Sequence, residues 1–344
     1  MVIAVIVPAR DEAEVIGRAV TSLLRQSCIE ALHIFVVDDN STDGTADAVR
    51  RAAAQSEHGE RVRVIRGLPL PAGWTGKLWA VKQGIDEALA LRPDFLLLTD
   101  ADIEHSPDNV ATLVHIALAG GYDLVSFMVK LRCRSLAEKL LVPAFVFFFL
   151  LLYPPWWVRN PRRKTAGAAG GCLMVRPAAL ERAGSIAAIR HEIIDDCALA
   201  RAVKRSGGKI WLGLTQQTHS LRVYGSFAEI EAMIARNAFN QLRHSFWLLL
   251  GTVLGGLAVF VLPLVLPASG SAHLAMAGGA VYLAMCLAYW PMVRFYRLNP
   301  LWALTLPFSG VFFLAATIHS AVKYWSGQGG EWKGRAQDLA QPRS

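Results

Sequence analysis

Acidic side chains follow three short apolar runs in the first hundred residues, and they suit metal chemistry. The runs lie at 2–7, 33–37 and 95–98. The acidic residues after them are Asp11, Glu12, Asp38, Asp39, Asp43, Asp100 and Asp102. Carboxylates this close repel one another unless a cation or hydrogen-bond donors separate them. Mg²⁺ or Mn²⁺ usually binds one or two carboxylates together with substrate phosphates, so a divalent-cation site is predicted where these runs end.

The elements that must position these residues alternate between strand and helix. Apolar runs at 2–7, 33–37, 62–65, 95–98 and 124–127 predict strands, and helical patterns lie at 13–25, 45–54, 78–91 and 107–118. This alternation is typical of an α/β domain with a mostly parallel sheet. Ligands of such sheets bind beyond the carboxyl ends of the strands, so the acidic clusters are expected on one edge.

Each cluster also has a purely structural interpretation. Residues 39–45 are typical of a turn in which Thr42 or Asp43 caps the next helix. An Asp-x-Asp triplet such as Asp100-Ala101-Asp102 is common in proteins. No GxGxxG follows the first run and no GxxxxGK[ST] occurs, which argues against dinucleotide binding and P-loop chemistry.

Composition divides the chain into a soluble and a membrane part. Hydrophobic residues make up 53% and charged residues 18% of the 344 residues. Between residues 244 and 322 the only formal charges are Arg294 and Arg297. Runs at 246–266, 272–293 and 301–322 are each long enough to cross roughly 30 Å of hydrocarbon. We therefore predict a domain at 1–245, a membrane domain of about three helices at 246–322, and a basic tail at 323–344.

The side of the tail stays open. If residues 1–245 are cytoplasmic, three spans place the tail outside. Its four basic residues instead favour the cytoplasmic side: Lys323, Lys333, Arg335 and Arg343.

A further apolar segment at 140–158 has basic residues on both flanks. A spanning helix would place one basic flank outside, whereas an interfacial or re-entrant segment keeps both on the cytoplasmic side. We favour the interfacial or re-entrant interpretation, and a span is the alternative.

Charge and cysteine usage exclude other classes. The net charge of +8 is not the dense basic stripe of a nucleic-acid-binding protein, so no nucleic-acid partner is expected. A lipid bilayer with anionic lipids, or a phosphorylated substrate, is sufficient to explain it. The five cysteines, Cys28, Cys133, Cys172, Cys197 and Cys286, form no CxxC motif, which favours a reducing compartment.

Several motifs together resemble a known family. Residues 8–12, 36–45, 76–80 and 100–102 resemble the signature of family 2 glycosyltransferases with the GT-A fold. A narrower resemblance, to hopanoid-biosynthesis-associated glycosyltransferases, is carried by residues 73–77, 170–176, 194–200 and 331–335. Members of that group often begin with an extra apolar segment, so a truncated or differently assigned start is one expectation. The resemblance implies a GT-A domain followed by a C-terminal α-helical membrane domain.

The family resemblance implies a nucleotide-diphosphate sugar donor, with a UDP-sugar as first choice. Asp39 would contact the nucleoside, and Pro8, Ala9 and Glu12 would line its pocket. Asp100 would lie by the ribose or the metal, and Asp102 would hold Mg²⁺ or Mn²⁺ against the diphosphate. Lys77 would add positive charge to the leaving group; the alternative is a solvated lysine at a helix start.

Asp195-Asp196 occupies the position of the family's Glu-Asp pair, which makes Asp196 the candidate catalytic base. The alternative is that both acids favour the dipole of the following helix. Gly171, Cys172 and Asp195 are assigned to the acceptor side, although Gly170–Cys172 also suits a plain turn. His219 is a weaker candidate for a third metal ligand. Arg222, Arg236 and Arg243 are candidates to face either the active site or anionic lipid.

The sequence thus predicts a membrane-bound inverting glycosyltransferase with a lipid acceptor. The resemblance implies that this acceptor is a hopanoid or isoprenoid hydroxyl group. The Gln-x-x-Arg-Trp motif of processive members is missing from residues 235–243, which favours a single transfer. We expect a multi-pass protein of the bacterial inner membrane with a cytoplasmic catalytic domain. The alternatives are a nucleotidyltransferase of similar build and a non-catalytic membrane scaffold.

Overall fold

The computed structural model describes residues 1–27, 31–327, 331–332 and 335–336, which fall into two compact units. The sheet unit contains Met1–Leu131, Tyr153–Arg222 and the described residues from Glu331 onward. The helical unit contains Arg132–Leu152 and the described residues from Val223 to Gly327. Cys28 and most of the predicted tail lie outside the described residues, and the predicted boundary at residue 245 stays a prediction.

The sheet unit is built on one eight-stranded sheet, in the order β3-β2-β1-β4-β7-β6-β8-β5. The strands are β1 (Val2–Ala9), β2 (Ala31–Asp38), β3 (Val62–Arg66), β4 (Phe95–Leu98), β5 (Ile103–Glu104), β6 (Leu124–Lys130), β7 (Leu173–Val175) and β8 (Ile210–Ser220). All five predicted strands are present. The sheet is mostly parallel, as predicted, and its antiparallel pairs are β4 with β7, β6 with β7, and β5 with β8. Two short strands, β9 (Glu331–Trp332) and β10 (Arg335–Ala336), pair separately.

The first strands end at one edge of the sheet. β1 is buried along nearly its whole length, because a central parallel strand is covered on both faces, and this explains its unbroken apolar run. In the strand register Ala9 lies beside Asp38, and Ile6 lies beside Leu98. The segments that follow β1, β2 and β4 therefore start together, as the acidic clusters predicted.

The helices lie in both units. They are α1 (Ile16–Leu24), α2 (Thr45–Ala54), α3 (Gly76–Leu89), α4 (Asn109–Gly120), α5 (Leu136–Leu152), α6 (Pro155–Val158), α7 (Pro177–Arg182), α8 (Asp195–Arg205), α9 (Phe227–Gln241), α10 (Phe246–Gly256), α11 (Leu262–Val265), α12 (Ala272–Phe295) and α13 (Leu306–Trp325). Short 3-10 segments lie at Gly59–Arg61, Ile186–Ile189, Leu266–Ser269 and Pro300–Thr305, and a π-helical turn at Leu257–Val261. The four helices predicted among the first five strands are all present.

Within the described residues, four helical segments of the chain are long and apolar enough to cross a membrane. They are Leu136–Val158, Phe246–Ser269, Ala272–Phe295 and Pro300–Trp325. The last three contain the predicted spans, and the first covers the segment predicted to be interfacial or re-entrant. The first turn of Leu136–Val158 is held in place by Glu138, because its carboxylate accepts hydrogen bonds from the backbone N–H groups of Arg134, Ser135 and Tyr224.

Aromatic side chains of α5 pack inside the helical unit. The Phe148 ring lies 5.0 Å from that of Phe313 and 5.8 Å from that of Phe260, measured between centroids. The Phe147 ring lies 5.3 Å from that of Tyr289. These edge-on contacts stabilise α5 against α12 and α13.

Candidate active site

The loops after β1 and β2 are joined by hydrogen bonds at the strand ends. The Asp39 N–H donates to the carbonyl of Ala9 at 2.8 Å. Arg10 Nη1 donates to the Asp39 carbonyl at 2.7 Å and lies 3.4 Å from its carboxylate. Asp39 is buried, and Pro8 and Ala9 lie on the neighbouring strand. Three residues predicted to form the nucleoside pocket are thus brought together.

Two other acids of this region hold the loops in place. Asp11, at φ 50°, accepts a hydrogen bond from the Thr42 N–H at 2.8 Å. Asp43 accepts from the N–H groups of Ala13 at 2.9 Å and Thr45 at 3.0 Å. Although burial opposes it, hydrogen bonding from Thr45 and Ala13 lowers the pKa of Asp43. These contacts are typical of a turn at residues 39–45, but neither Thr42 nor Asp43 caps α2, because its N-cap is Gly44.

Arg222 joins the first and third acidic clusters. Its Nη2 lies 2.9 Å from Glu12 Oε1, and its Nε lies 3.1 Å from Asp102 Oδ2. The Ser220 hydroxyl donates to the same Asp102 oxygen at 3.2 Å. Asp102 is buried, so the guanidinium and the hydroxyl compensate a carboxylate that would otherwise be costly to bury.

Lys77 connects β4 to α8 across a cleft. Its Nζ lies 2.9 Å from Asp100 Oδ1 and 3.1 Å from Asp195 Oδ2. The side chain is positioned because α3 begins immediately before it, with Thr75 as N-cap. Burial alone would lower the pKa of Lys77, but the carboxylates of Asp100 and Asp195 outweigh it and raise that pKa above its ordinary value. Lys77 is therefore a fixed ammonium within an acidic cleft and not a solvated side chain.

Asp196 lies beside this ion-pair cluster at the start of α8. Its Oδ2 accepts a hydrogen bond from the Gly170 N–H at 2.8 Å, and its Oδ1 accepts from the Cys197 N–H at 2.6 Å. Burial, together with the charge of Asp195, raises the pKa of Asp196 to about 7, although Lys77 and the two N–H groups oppose the rise. A carboxyl group with a pKa near neutrality can accept a proton at physiological pH.

These groups line one cleft. Its lining includes the charged side chains of Lys77, Asp100, Asp195 and Asp196, together with Gly170 and Pro8. A Cβ atom added at Gly170 would lie 3.4 Å from Lys77 Nζ, 3.5 Å from Asp196 Oδ2 and 3.8 Å from Asp100 Oδ2. The absence of a side chain at Gly170 therefore keeps the space between the three charged groups open.

Gly171 and Cys172, predicted on the acceptor side, face the protein core. A Cβ atom added at Gly171 would lie 3.1 Å from Val129 Cγ2 and 3.2 Å from Ile103 Cδ1. Cys172 is fully buried, and burial raises the pKa of its thiol to about 12. Its sulfur accepts a hydrogen bond from the Asn109 amide at 3.4 Å, so the thiol is held within the core.

A buried polar network behind the Asp-x-Asp triplet was not anticipated from the sequence. The Thr99 hydroxyl donates to the Gly171 carbonyl at 2.8 Å and lies 2.9 Å from His105 Nε2. His105 Nδ1 lies 2.9 Å from the Asn109 amide nitrogen. Burial lowers the pKa of His105 to about 3, so the ring is neutral, with Nε2–H donating to Thr99 and Nδ1 accepting from Asn109. The one sequence feature that pointed to this network was His105, three residues after Asp102.

Asp100 and Asp102 are the two carboxylates predicted to hold a divalent cation. Within the described residues no group of three or more His, Cys, Asp or Glu side chains could hold a metal ion. His219, the weaker candidate for a third metal ligand, is exposed on β8, where it pairs with Glu104 of β5. Two hard carboxylates still fit Mg²⁺ or Mn²⁺, which commonly complete their shells with phosphate oxygens and water. Arg236 and Arg243 belong to the helical unit.

Comparison with known proteins fits this geometry. The sequence model of the Glycosyl transferase family 2 matches residues 4–184. "Uncharacterized protein MJ1222" of Methanocaldococcus jannaschii is 34% identical over 120 residues. That match covers 35% of this chain and 43% of the relative, so the chain spans less than half of the relative's length.

Among solved structures, the mannosyltransferase PcManGT from Pyrobaculum calidifontis, in complex with GDP-Man and Mn²⁺, is 20% identical with a TM-score of 0.58. That match covers 94% of this chain and 87% of the mannosyltransferase. Glucosyl-3-phosphoglycerate synthase from Mycobacterium tuberculosis, in complex with Mn²⁺, UDP and glucosyl-3-phosphoglycerate, is 20% identical over 67% of this chain and 75% of that one, with a TM-score of 0.43. The sheet unit has a GT-A-like fold. With more than half of its length matched by the family model, the chain belongs to the family 2 glycosyl transferases.

Proposed function

We propose that this protein is a membrane-bound glycosyltransferase that moves one sugar from a nucleotide-diphosphate sugar to a lipid hydroxyl group. The observation that carries the proposal is the cleft in which Lys77 lies between Asp100 and Asp195, beside Asp196. A UDP-sugar is the donor favoured by the motifs. The structural relative PcManGT holds GDP-Man, so a GDP-sugar is tested in parallel.

The donor side of the site follows from the placement of its residues. Pro8, Ala9 and Asp39 would hold the nucleoside at the ends of β1 and β2. Asp100 and Asp102 would hold Mg²⁺ or Mn²⁺, which supplies Lewis-acid stabilisation of the departing diphosphate. The Lys77 ammonium adds a fixed positive charge within the cleft, where low solvent access strengthens its effect on developing negative charge. Glu12 acts through its ion pair with Arg222.

On the acceptor side, Asp196 would take the proton from the attacking hydroxyl group. The Gly170 and Cys197 N–H groups fix the direction of its carboxylate, and its raised pKa suits proton uptake near pH 7. Attack on the sugar face opposite the diphosphate would invert the anomeric configuration. The absence of the processive Gln-x-x-Arg-Trp motif supports one transfer per acceptor.

The four helices that are long and apolar enough to cross a membrane support a lipid acceptor, since water-insoluble hydroxyl groups are concentrated in a bilayer. Motifs at residues 73–77 and 170–176 resemble hopanoid-associated members of the family, which makes a hopanoid hydroxyl the first acceptor to test. We place the protein in the bacterial inner membrane with the sheet unit cytoplasmic, where nucleotide sugars are made.

Calorimetry on detergent-purified protein tests the donor site. UDP, GDP and CDP are each titrated into the wild type with Mn²⁺, into the wild type with EDTA, and into the Asp102→Ala variant with Mn²⁺. Metal-dependent binding of one nucleotide, lost in the variant, supports the proposal. Failure of UDP, GDP and CDP in every condition would instead favour a non-catalytic scaffold.

The transfer step is then followed with sugar donors and a hopanoid extract. Release of the nucleoside diphosphate supports glycosyl transfer, whereas release of pyrophosphate would identify a nucleotidyltransferase. Asp196→Asn is the matched variant, expected to bind the nucleotide normally while losing transfer. A variant that loses both activities would place Asp196 in donor binding and contradict its role as base.

A further inference from the structure

The segment at residues 153–165, which we call the Trp–Arg loop, presents aromatic and cationic side chains to solvent. Trp156 is 61% exposed and Trp157 is 40% exposed. Its basic residues, all exposed, are Arg159, Arg162, Arg163 and Lys164. The segment contains no Asp or Glu, and among the described residues none of the four cations forms an ion pair. The Arg163 guanidinium lies 5.0 Å from the centre of the Trp157 ring, a cation–π contact.

The base of the loop is fixed to the sheet unit. Lys204 Nζ, on α8, donates to the carbonyls of Val158 at 2.6 Å, Thr165 at 2.7 Å and Trp157 at 3.2 Å. Val158 is fully buried, and the Asn160 side chain accepts from the Arg162 N–H at 2.9 Å. The exposed side chains therefore stand on an ordered backbone, so less conformational entropy is lost when they bind a partner.

Sheet topology ties the loop to the sheet unit. β6 precedes α5 in the chain and β7 follows it, and these two strands pair directly. The chain therefore leaves the sheet unit before α5 and returns to it directly afterwards, although α5 is apolar enough to cross a membrane. The Trp–Arg loop begins directly after α5 and belongs to the sheet unit.

We propose that the Trp–Arg loop binds the headgroups of anionic phospholipids in the leaflet on the side of the sheet unit. Tryptophan rings are favoured at the boundary between headgroups and hydrocarbon. Arginine side chains form paired hydrogen bonds with phosphate oxygens, and a basic cluster is attracted to an anionic surface. None of the loop's basic residues lines the cleft with Lys77 and Asp196, so a lipid phosphate and not the donor diphosphate is the ligand. The inference needs the chain to be in a membrane, but it does not depend on sugar transfer.

Electron paramagnetic resonance of spin-labelled lipids tests this binding on the full chain reconstituted in phosphatidylcholine. Trace spin-labelled phosphatidylglycerol and phosphatidylcholine are compared, and the immobilised fraction gives their relative association constant. We expect phosphatidylglycerol to be preferred at least threefold in low salt, with the preference falling in high salt. In the quadruple variant R159Q/R162Q/R163Q/K164Q the ratio should fall to about 1, because the cationic attraction is removed.

A matched quadruple variant changes the net charge by the same amount at positions outside the loop. R25Q/R51Q/R92Q/K209Q removes four exposed basic residues of the sheet unit that lie outside the loop. It should retain the wild-type preference, and W156S/W157S should lower it. Metal-dependent nucleotide binding, measured on each variant, reports whether the cleft is intact. An unchanged ratio in the loop variant, an equal loss in the matched variant, or a preference abolished by UDP would each overturn the proposal.

Discussion

Arg222 occupies the carboxylate that a metal ion would need, and this predicts an unusual response to its removal. The guanidinium is bonded to Asp102 and Glu12 at 3.1 and 2.9 Å. A cation arriving at Asp102 must displace this interaction or share the carboxylate with it. We therefore expect Arg222→Gln to bind Mn²⁺ more tightly than the wild type in the absence of nucleotide.

The size of the effect follows from the strength of that contact. A hydrogen bond to a charged group contributes about 1.5–3 kcal/mol. The Arg222 side chain is 39% exposed, and solvent screening reduces the expected cost of displacement to about 1–2 kcal/mol. Since about 1.4 kcal/mol corresponds to a tenfold change in affinity, Mn²⁺ binding should tighten by about 5- to 30-fold.

Free Mn²⁺ is measured directly from its aqueous paramagnetic resonance signal during titration of the detergent-purified chain. Asp102→Asn should abolish the specific binding, which shows that the signal reports this site. Arg25→Gln is the matched control, an exposed arginine outside the site whose loss changes net charge equally. If Arg222 instead orients Asp102 for the metal, Arg222→Gln will bind Mn²⁺ more weakly, and that result would refute competition.

Three further predictions concern the cleft and its support. Because Asp196, with a pKa of about 7, must be ionised to act as a base, kcat/KM should rise with pH and level off above about pH 7. Asp195→Asn should move the rising part of this profile to lower pH, since removal of the neighbouring negative charge lowers the pKa of Asp196. Gly170→Ala should raise the donor KM several-fold at unchanged Tm, whereas Gly171→Ala should cost about 1–3 kcal/mol of stability through overpacking. Thr99→Val should cost about 1–3 kcal/mol by leaving a buried imidazole N–H unsatisfied.

The predictions for Asp196 and Asp195 are measured by pH–rate profiles. Those for the glycine and Thr99 variants are measured by thermal unfolding together with donor kinetics. A profile flat from pH 5 to 9, or one unmoved by Asp195→Asn, would argue against Asp196 as the base. Equal loss of Tm in both glycine variants would mean that Gly170 is a packing residue and not part of the cleft. A Thr99→Val protein as stable as the wild type would show that the network adds little to stability.

The sequence alone determined the elements and the edge at which they meet. Apolar runs such as 2–7 predict buried strands because central parallel strands are covered on both faces. Once strands and helices alternate, the carboxyl ends of the strands must share an edge, so Asp39 and Asp100 could be assigned to one site from their positions alone. The membrane helices predicted after residue 245 likewise followed from the length of the apolar runs and their lack of charge alone.

Only the tertiary structure decided which charges are paired. Lys77 meets Asp195 because α3 and α8 both pack against the 3-10 segment Ile186–Ile189, and Arg222 reaches Glu12 across 210 positions of sequence. No local pattern predicts such pairs, because their distances depend on how whole elements pack. The pairing of β6 with β7, which stand on either side of α5 in the chain, is a further case, since no local pattern predicts that these two strands are neighbours. Local sequence therefore determined the strands and helices, and long-range pairing determined which groups can act together.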